Sequence, residues 1–424
     1  MIKNSFLLLF ALSLLVQAAH GGGFKIGLQG TKQLGIGHTG IGYAQDAATI
    51  YFNPAGMSFV DNQFNGSINL LGPSTTFLDG QTNALTQAVG QVYTPFSLYA
   101  KGNLSKRIGI GLGVYTPFGS GMRYPYEWTG RFALTSVNLE TVYIQPTISL
   151  KISPKFSLGA GYIASFGMFE LERDLPLQNQ NGTYAHAKLE GAGRGRGFNL
   201  GAYYHSGKKF DFGVTYHSSI AMDVKDGDAT FSNIPTAAVS SFPSTNNFSS
   251  SLQLPSELGA GFSYKLSKNV HAAVDVSYTY WESYDYLSFN YTTNTSQLQD
   301  SKSPRLYENA IGIHGGLQAY FPHNVVARIG AFYDETPVQD GYVGPELPDN
   351  NKVGLTGGLS YTVRDNFIID VALLYEDVAE RTDRNLESNL YGTFKTKVIC
   401  PSFGISYKFK KNTKNTVKKY TRRY

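Results

Sequence analysis

The sequence predicts an all-β protein, an antiparallel transmembrane β-barrel of about 14 strands with an N-terminal plug in its lumen. Three observations lead there. Strand-like runs repeat from residue 63 to 409, the connections between them alternate between short and long, and a glycine-rich segment precedes the first run.

Residues 1–21 read as a secretory signal. Lys3 supplies the positive start, and residues 6–16 form an apolar run shorter than the ~20 residues a membrane helix needs. Small residues follow at Ala18, Ala19 and Gly21, which places cleavage between Ala18 and Gly22. No second long apolar run follows, which argues against a helical membrane protein. The 27 Phe, 29 Tyr and 46 Gly, with only 16% charged residues, suit aromatic-rich strands joined by glycine-rich turns. Cys400 is the single cysteine, so no internal disulfide forms.

Residues 22–62 read as the plug, or hatch. The stretch 35–57, GIGHTGIGYAQDAATIYFNPAGM, is built of glycine and small residues and ends in Asn53-Pro54-Ala55-Gly56. A barrel of this size holds water unless something fills it, and the segment is too long for a simple lead-in. Small residues let it pack closely inside a wall, and Asn53-Pro54 gives a rigid turn just before the wall begins.

Residues 63–409 read as the barrel. The runs are 63–72, 94–104, 107–117, 136–151, 155–171, 188–205, 210–223, 252–266, 269–286, 305–321, 324–333, 351–363, 366–377 and 391–409. In the ninth, Val270, Ala272, Val274, Val276 and Tyr278 share one face, while His271, Ala273, Asp275, Ser277 and Thr279 share the other. Period two with one apolar face marks a strand between two environments. Tyr278, Tyr280, Trp281, Tyr284 and Tyr286 then climb this strand as an interface girdle. The short polar turns include Ser105-Lys106, Ser206-Gly207-Lys208-Lys209 and Arg364-Asp365-Asn366, while segments such as 118–135, 172–187 and 224–251 are long. That sorting fits an outer-membrane barrel better than a Greek-key sandwich. An even strand number puts both ends of the barrel on the short-turn, periplasmic side of a Gram-negative outer membrane.

Residues 410–424 form a basic periplasmic tail. Without its seven basic residues and Lys3, 28 basic side chains face 31 acidic ones, a net charge of −3. The body is therefore not a nucleic-acid surface.

No catalytic constellation stands out, and the expectation is not an enzyme and no cofactor or metal. The eight His residues are scattered without metal-ligand spacing. Gly191-Ala192-Gly193-Arg194-Gly195-Arg196-Gly197 opens a strand rather than a helix, so it lacks the helix N-terminus that holds phosphate. Arg194 and Arg196 instead sit where lipopolysaccharide phosphates can meet them.

The hatch motif resembles that of the FadL/TodX (OMPP1) family of outer-membrane transporters. Tyr115-Thr116-Pro117-Phe118-Gly119 is similar to the family's third-strand region, and Tyr124-Pro125-Tyr126-Glu127-Trp128-Thr129-Gly130-Arg131 to the following loop. Leu254-Pro255-Ser256-Glu257, Tyr278-Thr279-Tyr280-Trp281, Tyr333-Asp334-Glu335-Thr336-Pro337-Val338, Leu347-Pro348-Asp349 and Gly357-Gly358-Leu359-Ser360-Tyr361 follow in the family's order. The resemblance implies a hatch-gated monomer that takes up long-chain fatty acids or other hydrophobic small molecules. Ligand would lodge first between loops 172–187 and 224–251, and then in an apolar pocket beside the hatch. It would leave sideways into the membrane at a kink formed by Thr116, Pro117, Phe118 and Gly119. Phe24 matches a pocket residue, and Arg173 matches the arginine that meets the ligand carboxylate. Asn53, Pro54, Ala55 and Gly56 match the gating motif. The family's lysine-type partner before strand ten has no match, since Glu308 stands near it, with Lys302 and Arg305 a few residues earlier. The alternative reading is a surface adhesin or receptor whose long loops bind a macromolecular partner.

Overall fold

The computed structural model describes residues 22–409. The signal segment and the basic tail lie outside the described residues. The wall strands are Gln63–Asn69 (β1), Phe96–Asn103 (β2), Ile108–Tyr115 (β3), Ser136–Lys151 (β4), Phe156–Gln178 (β5), Tyr184–His205 (β6) and Phe210–His217 (β7). Glu257–Lys265 (β8), Val270–Thr279 (β9), Ala310–Phe321 (β10), Val325–Asp334 (β11), Lys352–Arg364 (β12), Phe367–Arg384 (β13) and Tyr391–Lys408 (β14) complete them. Each pairs antiparallel with the next. The ring closes where β1 meets β14, from Gln63↔Lys408 to Asn69↔Ser402. Closure leaves no edge whose unpaired N–H and C=O groups would face lipid.

Alternation along the strands sorts side chains between lipid and lumen. On β13, Ile369, Val371, Leu373 and Tyr375 point outward and are exposed, while Ile368, Asp370, Ala372 and Leu374 are buried inside. The short turns share one device. Ser105, Ser153, Ser206 and Ser267 each turn their hydroxyl back to accept backbone N–H groups two and three residues on, a local bond that favours turns over continued strand.

Three expectations are corrected at the long-loop end. The segment read as loop 172–187 is mostly sheet, because β5 and β6 stay paired from Arg173↔Ala187 up to Gln178↔Tyr184. Strand seven does not run through to 223, nor strand eight from 252. The chain leaves the wall at His217, and Ile220–Ser232 pairs with β6 and with Thr245–Leu254 above the membrane. These extensions bury an apolar cluster that includes Leu189, Val224, Phe231, Phe242, Phe248 and Phe289, which alternation within single strands does not reveal. The aromatic residues after Thr279 do not climb a strand either. The backbone turns into the 3-10 segment Trp281–Ser283, and Trp281 points inward, fully buried.

The N-terminal segment fills the lumen. It holds two short helices, Thr31–Gly35 (α1) and Thr49–Phe52 (α2), and the 3-10 turn Pro54–Phe59. Nearly every residue from 22 to 57 is buried or half-buried. Wall glycines permit this approach. A Cβ on Gly261 of β8 would lie 2.3 Å from the Gly42 nitrogen, and one on Gly213 of β7 would lie 2.1 Å from the Ile41 oxygen.

Candidate ligand site and wall break

The hatch is tied to the wall by side chains satisfying its backbone. Asp275 of β9 accepts from the backbone nitrogens of Gly40 at 2.6 Å, Ile41 at 2.8 Å and Gly42 at 3.3 Å. Asn199 and Gln145 donate to the Ile50 carbonyl at 3.3 and 2.8 Å. Lys32 stands between Asp46 at 3.1 Å and Asp370 at 3.6 Å. Asn53 donates to the carbonyls of Ile41, Ala202 and Val214 at 3.1–3.3 Å, while its own oxygen accepts from the Ala55 nitrogen at 3.1 Å. The same residue thus caps the Pro54–Phe59 turn and joins the hatch to β6 and β7. The Ala55 carbonyl takes the Ser157 hydroxyl at 2.7 Å, Pro54 and Gly56 are buried, and a Cβ on Gly56 would lie 2.5 Å from the Thr49 hydroxyl.

Above the hatch is an apolar cavity of about 120 Å³, lined by Phe24, Leu139, Met222, Leu252, Tyr284 and Leu287 among others. Phe24 is held edge-on by Trp281 and Tyr284, at 4.7 and 5.6 Å between centroids. The charged side chains on the cavity lining are Arg305 and Glu346, which pair at 3.5 Å. Burial is the strongest single influence and opposes the Arg305 charge, but Glu346, Tyr284 and Tyr307 together outweigh it and keep the guanidinium protonated. A groove of about 620 Å³ opens further out between the β5–β6 extension and the facing loops. It shares Leu171, Leu287, Phe289, Arg305 and Glu346 with the cavity. Arg173 lines this outer groove and is exposed, and it does not line the inner cavity.

The wall is interrupted beside the cavity. β3 pairs with β4 up to Tyr115↔Tyr143, and pairing resumes at Gly119↔Glu140. Thr116, Pro117 and Phe118 therefore oppose only two residues, a bulge that breaks the ladder. The N-terminal segment lies along this break. Ile26 donates to the Pro117 carbonyl at 2.8 Å, Gly119 donates to the Phe24 carbonyl at 3.0 Å, and the Phe24 and Phe118 rings stand 6.0 Å apart. Below Phe24 is a polar compartment of about 90 Å³ whose lining includes Lys25, His217, Glu257, Asp334 and Lys352. Lys25 pairs with Glu257 there. Burial is the strongest single influence and disfavours the Lys25 ammonium, but Glu257, with Tyr51 and Asp334, more than reverses this and raises the amine above its ordinary value.

The structure thus brings Phe24 and Phe118 together and sets Asn53 between hatch and wall. Three participants were not read as site residues. Trp281 was assigned to the membrane interface, because period two cannot anticipate a strand that stops. Glu346 lies in a loop with no local signal. Asp275 could have been found, since its carboxylate stands on the lumen face of an alternating strand.

A closed ring of 14 antiparallel strands with a lumenal hatch, an apolar cavity and an interrupted wall defines an outer-membrane transport protein. The chain belongs to the family described as outer membrane protein transport protein (OMPP1/FadL/TodX), whose model matches residues 12–409. It is 22% identical over 407 residues to the long-chain fatty acid transport protein of Escherichia coli, covering 86% of this chain and 90% of that one. A Pseudomonas aeruginosa FadL homologue superposes with a TM-score of 0.80 at 18% identity, covering 93% of this chain and all of that one. The Pseudomonas putida toluene transporter TodX gives 0.72 at 18% identity, with the same coverage. The family is one of transport proteins, and nothing in these comparisons supports the adhesin or receptor reading.

Proposed function

We propose that this protein imports hydrophobic small molecules passively, from the outer groove to the apolar cavity and then sideways through the break at Thr116, Pro117 and Phe118 into the membrane. The observation that carries this reading is the position of Phe24. Its ring walls the cavity, and its backbone closes the break. A small shift of the segment around Phe24 would join the two. The way down is unfavourable for an apolar molecule, because it leads to ionised groups and a hatch bonded on many sides, whereas lipid receives apolar surface at a gain.

Relatives named for fatty acids and for toluene suggest two ligand classes. An apolar cavity of roughly 150 Å³ accepts a benzene ring, so the cavity of about 120 Å³ suits a ring or a short stretch of chain. A long-chain fatty acid would extend into the outer groove. Asn53, Pro54, Ala55 and Gly56 keep the hatch in place while the segment around Phe24 moves. We further propose a monomer in contact with outer-membrane lipid. Arg194 and Arg196, exposed on β6, would meet lipopolysaccharide phosphates there.

Deleting Pro117 tests the route, because it leaves two residues facing two and lets the ladder close. The expected result is a heat-modifiable, membrane-inserted barrel that no longer takes up labelled ligand. Normal uptake by that variant would overturn lateral exit.

A further inference from the structure

We infer that Glu346 and Glu387 set the site against anions, so that the cargo is a neutral hydrophobic molecule rather than a carboxylate. The inference rests on the reading that the cavity and groove carry the cargo. Its starting point is that Arg305, the cation shared by both spaces, is already engaged. One guanidinium nitrogen lies 3.5 Å from Glu346 and another lies 3.5 Å from Glu387. The charged side chains on the groove lining are Arg173, Asp174, Arg305, Glu346 and Glu387, and of these Asp174 is paired with Arg131 at 3.9 Å.

Both carboxylates are held by their surroundings. Ser303 donates to Glu387. The loop carrying Glu346 is pinned on both sides, since Ser120 donates to the Glu346 carbonyl at 3.0 Å and Tyr124 to the Pro345 carbonyl at 3.1 Å. Arg305 itself is fixed through its backbone nitrogen, which donates to the Asp285 carbonyl at 2.7 Å. A ligand carboxylate has two ways to reach the guanidinium. It either displaces a glutamate, leaving that charge uncompensated, or sits beside two like charges. A neutral ligand leaves the pair intact and meets a mainly apolar lining that includes Phe24, Tyr284, Leu139 and Leu252. Arg305 is 15% exposed, but Glu346 and Glu387 are 31% and 48% exposed. Solvent therefore screens the effect, and the bias is a factor on the order of ten rather than an absolute bar.

The test is calorimetric binding to the full barrel in lipid nanodiscs, with decanoate and methyl decanoate as probes at a pH where decanoate is ionised. The ester is intrinsically the more hydrophobic, so the decisive quantity is how the ratio of the two affinities changes with Glu346→Gln, Glu387→Gln and the double variant. The expected result is that the ester-to-acid ratio falls about tenfold in the double variant, through gain of decanoate binding. A smaller fall is expected in each single variant. A ratio unchanged in all three, or wild-type protein that binds decanoate at least as tightly as its ester, overturns the inference while leaving the transport reading standing. If heat-modifiable wild-type protein binds neither probe, the transport reading fails and takes the inference with it.

Discussion

The Phe24 ring meets the Trp281 indole edge-on, with centroids 4.7 Å apart. This contact joins the hatch to the second residue after the end of β9. A Cβ on the preceding Gly23, whose φ is +75°, would lie 2.6 Å from the indole. The pairing thus sets how far the N-terminal segment reaches into the cavity. Phe24→Ala removes the ring and enlarges the cavity toward Phe118. The expected outcome is a change of size preference, with two-ring aromatic ligands gaining over toluene in uptake competition. Unchanged relative uptake would show that Phe24 does not bound the site.

Asn53→Ala removes every side-chain bond between that position and the wall. Losing the amide leaves the carbonyls of Ile41, Ala202 and Val214 without this donor, at about 1–3 kcal/mol for each buried group left unsatisfied. The ring of strands is untouched, so the barrel still assembles. The hatch should loosen, with weaker ligand uptake and ion-current flickers in planar bilayers where the wild type is quiet. A silent variant with normal uptake would remove Asn53 from any gating role.

The Asp275 carboxylate gathers three consecutive hatch amides, and hydrogen bonds to an ionised acceptor are roughly twice as strong as neutral ones. Asp275→Asn keeps the shape but removes the charge and turns one end of the side chain into a donor facing other donors. Amide exchange at residues 40–42 should quicken by at least about tenfold, equivalent to ~1.4 kcal/mol, while exchange in β13 and β14 stays the same. Equal protection in both forms would mean that packing, rather than this carboxylate, holds the loop.

The wall was legible because lipid outside and a polar lumen inside impose period two on every strand, as Val274 and Asp275 show on adjacent positions. Turn positions were legible at Ser105 and Ser206, where short polar stretches interrupt the alternating runs. The tops of the strands were not. Whether β5 stops at Leu171 or continues to Gln178 depends on Leu189, Val224 and Phe248 packing from other segments, and no single run records that. The site divides along the same line. Phe24, Asn53 and the break at Pro117 sit in compact motifs. The pairing of Arg305 with Glu346 and Glu387 joins residues 41 and 82 positions apart in sequence, brought together only by loops of the closed ring. Arg173, carried over from a motif, faces the outer groove because β5 rises beyond the membrane.

His38 gives the hatch a dependence on acidity. Its ring stacks on Phe332 at 5.1 Å and lies 6.0 Å from His314. Burial first, and the neighbouring His314 second, lower its imidazole to about 3, with Asp334 and Lys25 acting more weakly in opposite directions. The released segment would titrate near the free value of about 6.5. Between these values the unfolded chain binds the proton and the folded one does not, so stability falls as the pH drops through that window and is fully present above it. The temperature at which the compact, heat-modifiable band disappears should therefore fall from about pH 6.5 downward. His38→Phe keeps the stack on Phe332 without a group to protonate, and its melting temperature should depend less on pH across the same window. Curves of equal slope for the two proteins would place the acid sensitivity elsewhere, with His314 and Asp334 the next groups to vary.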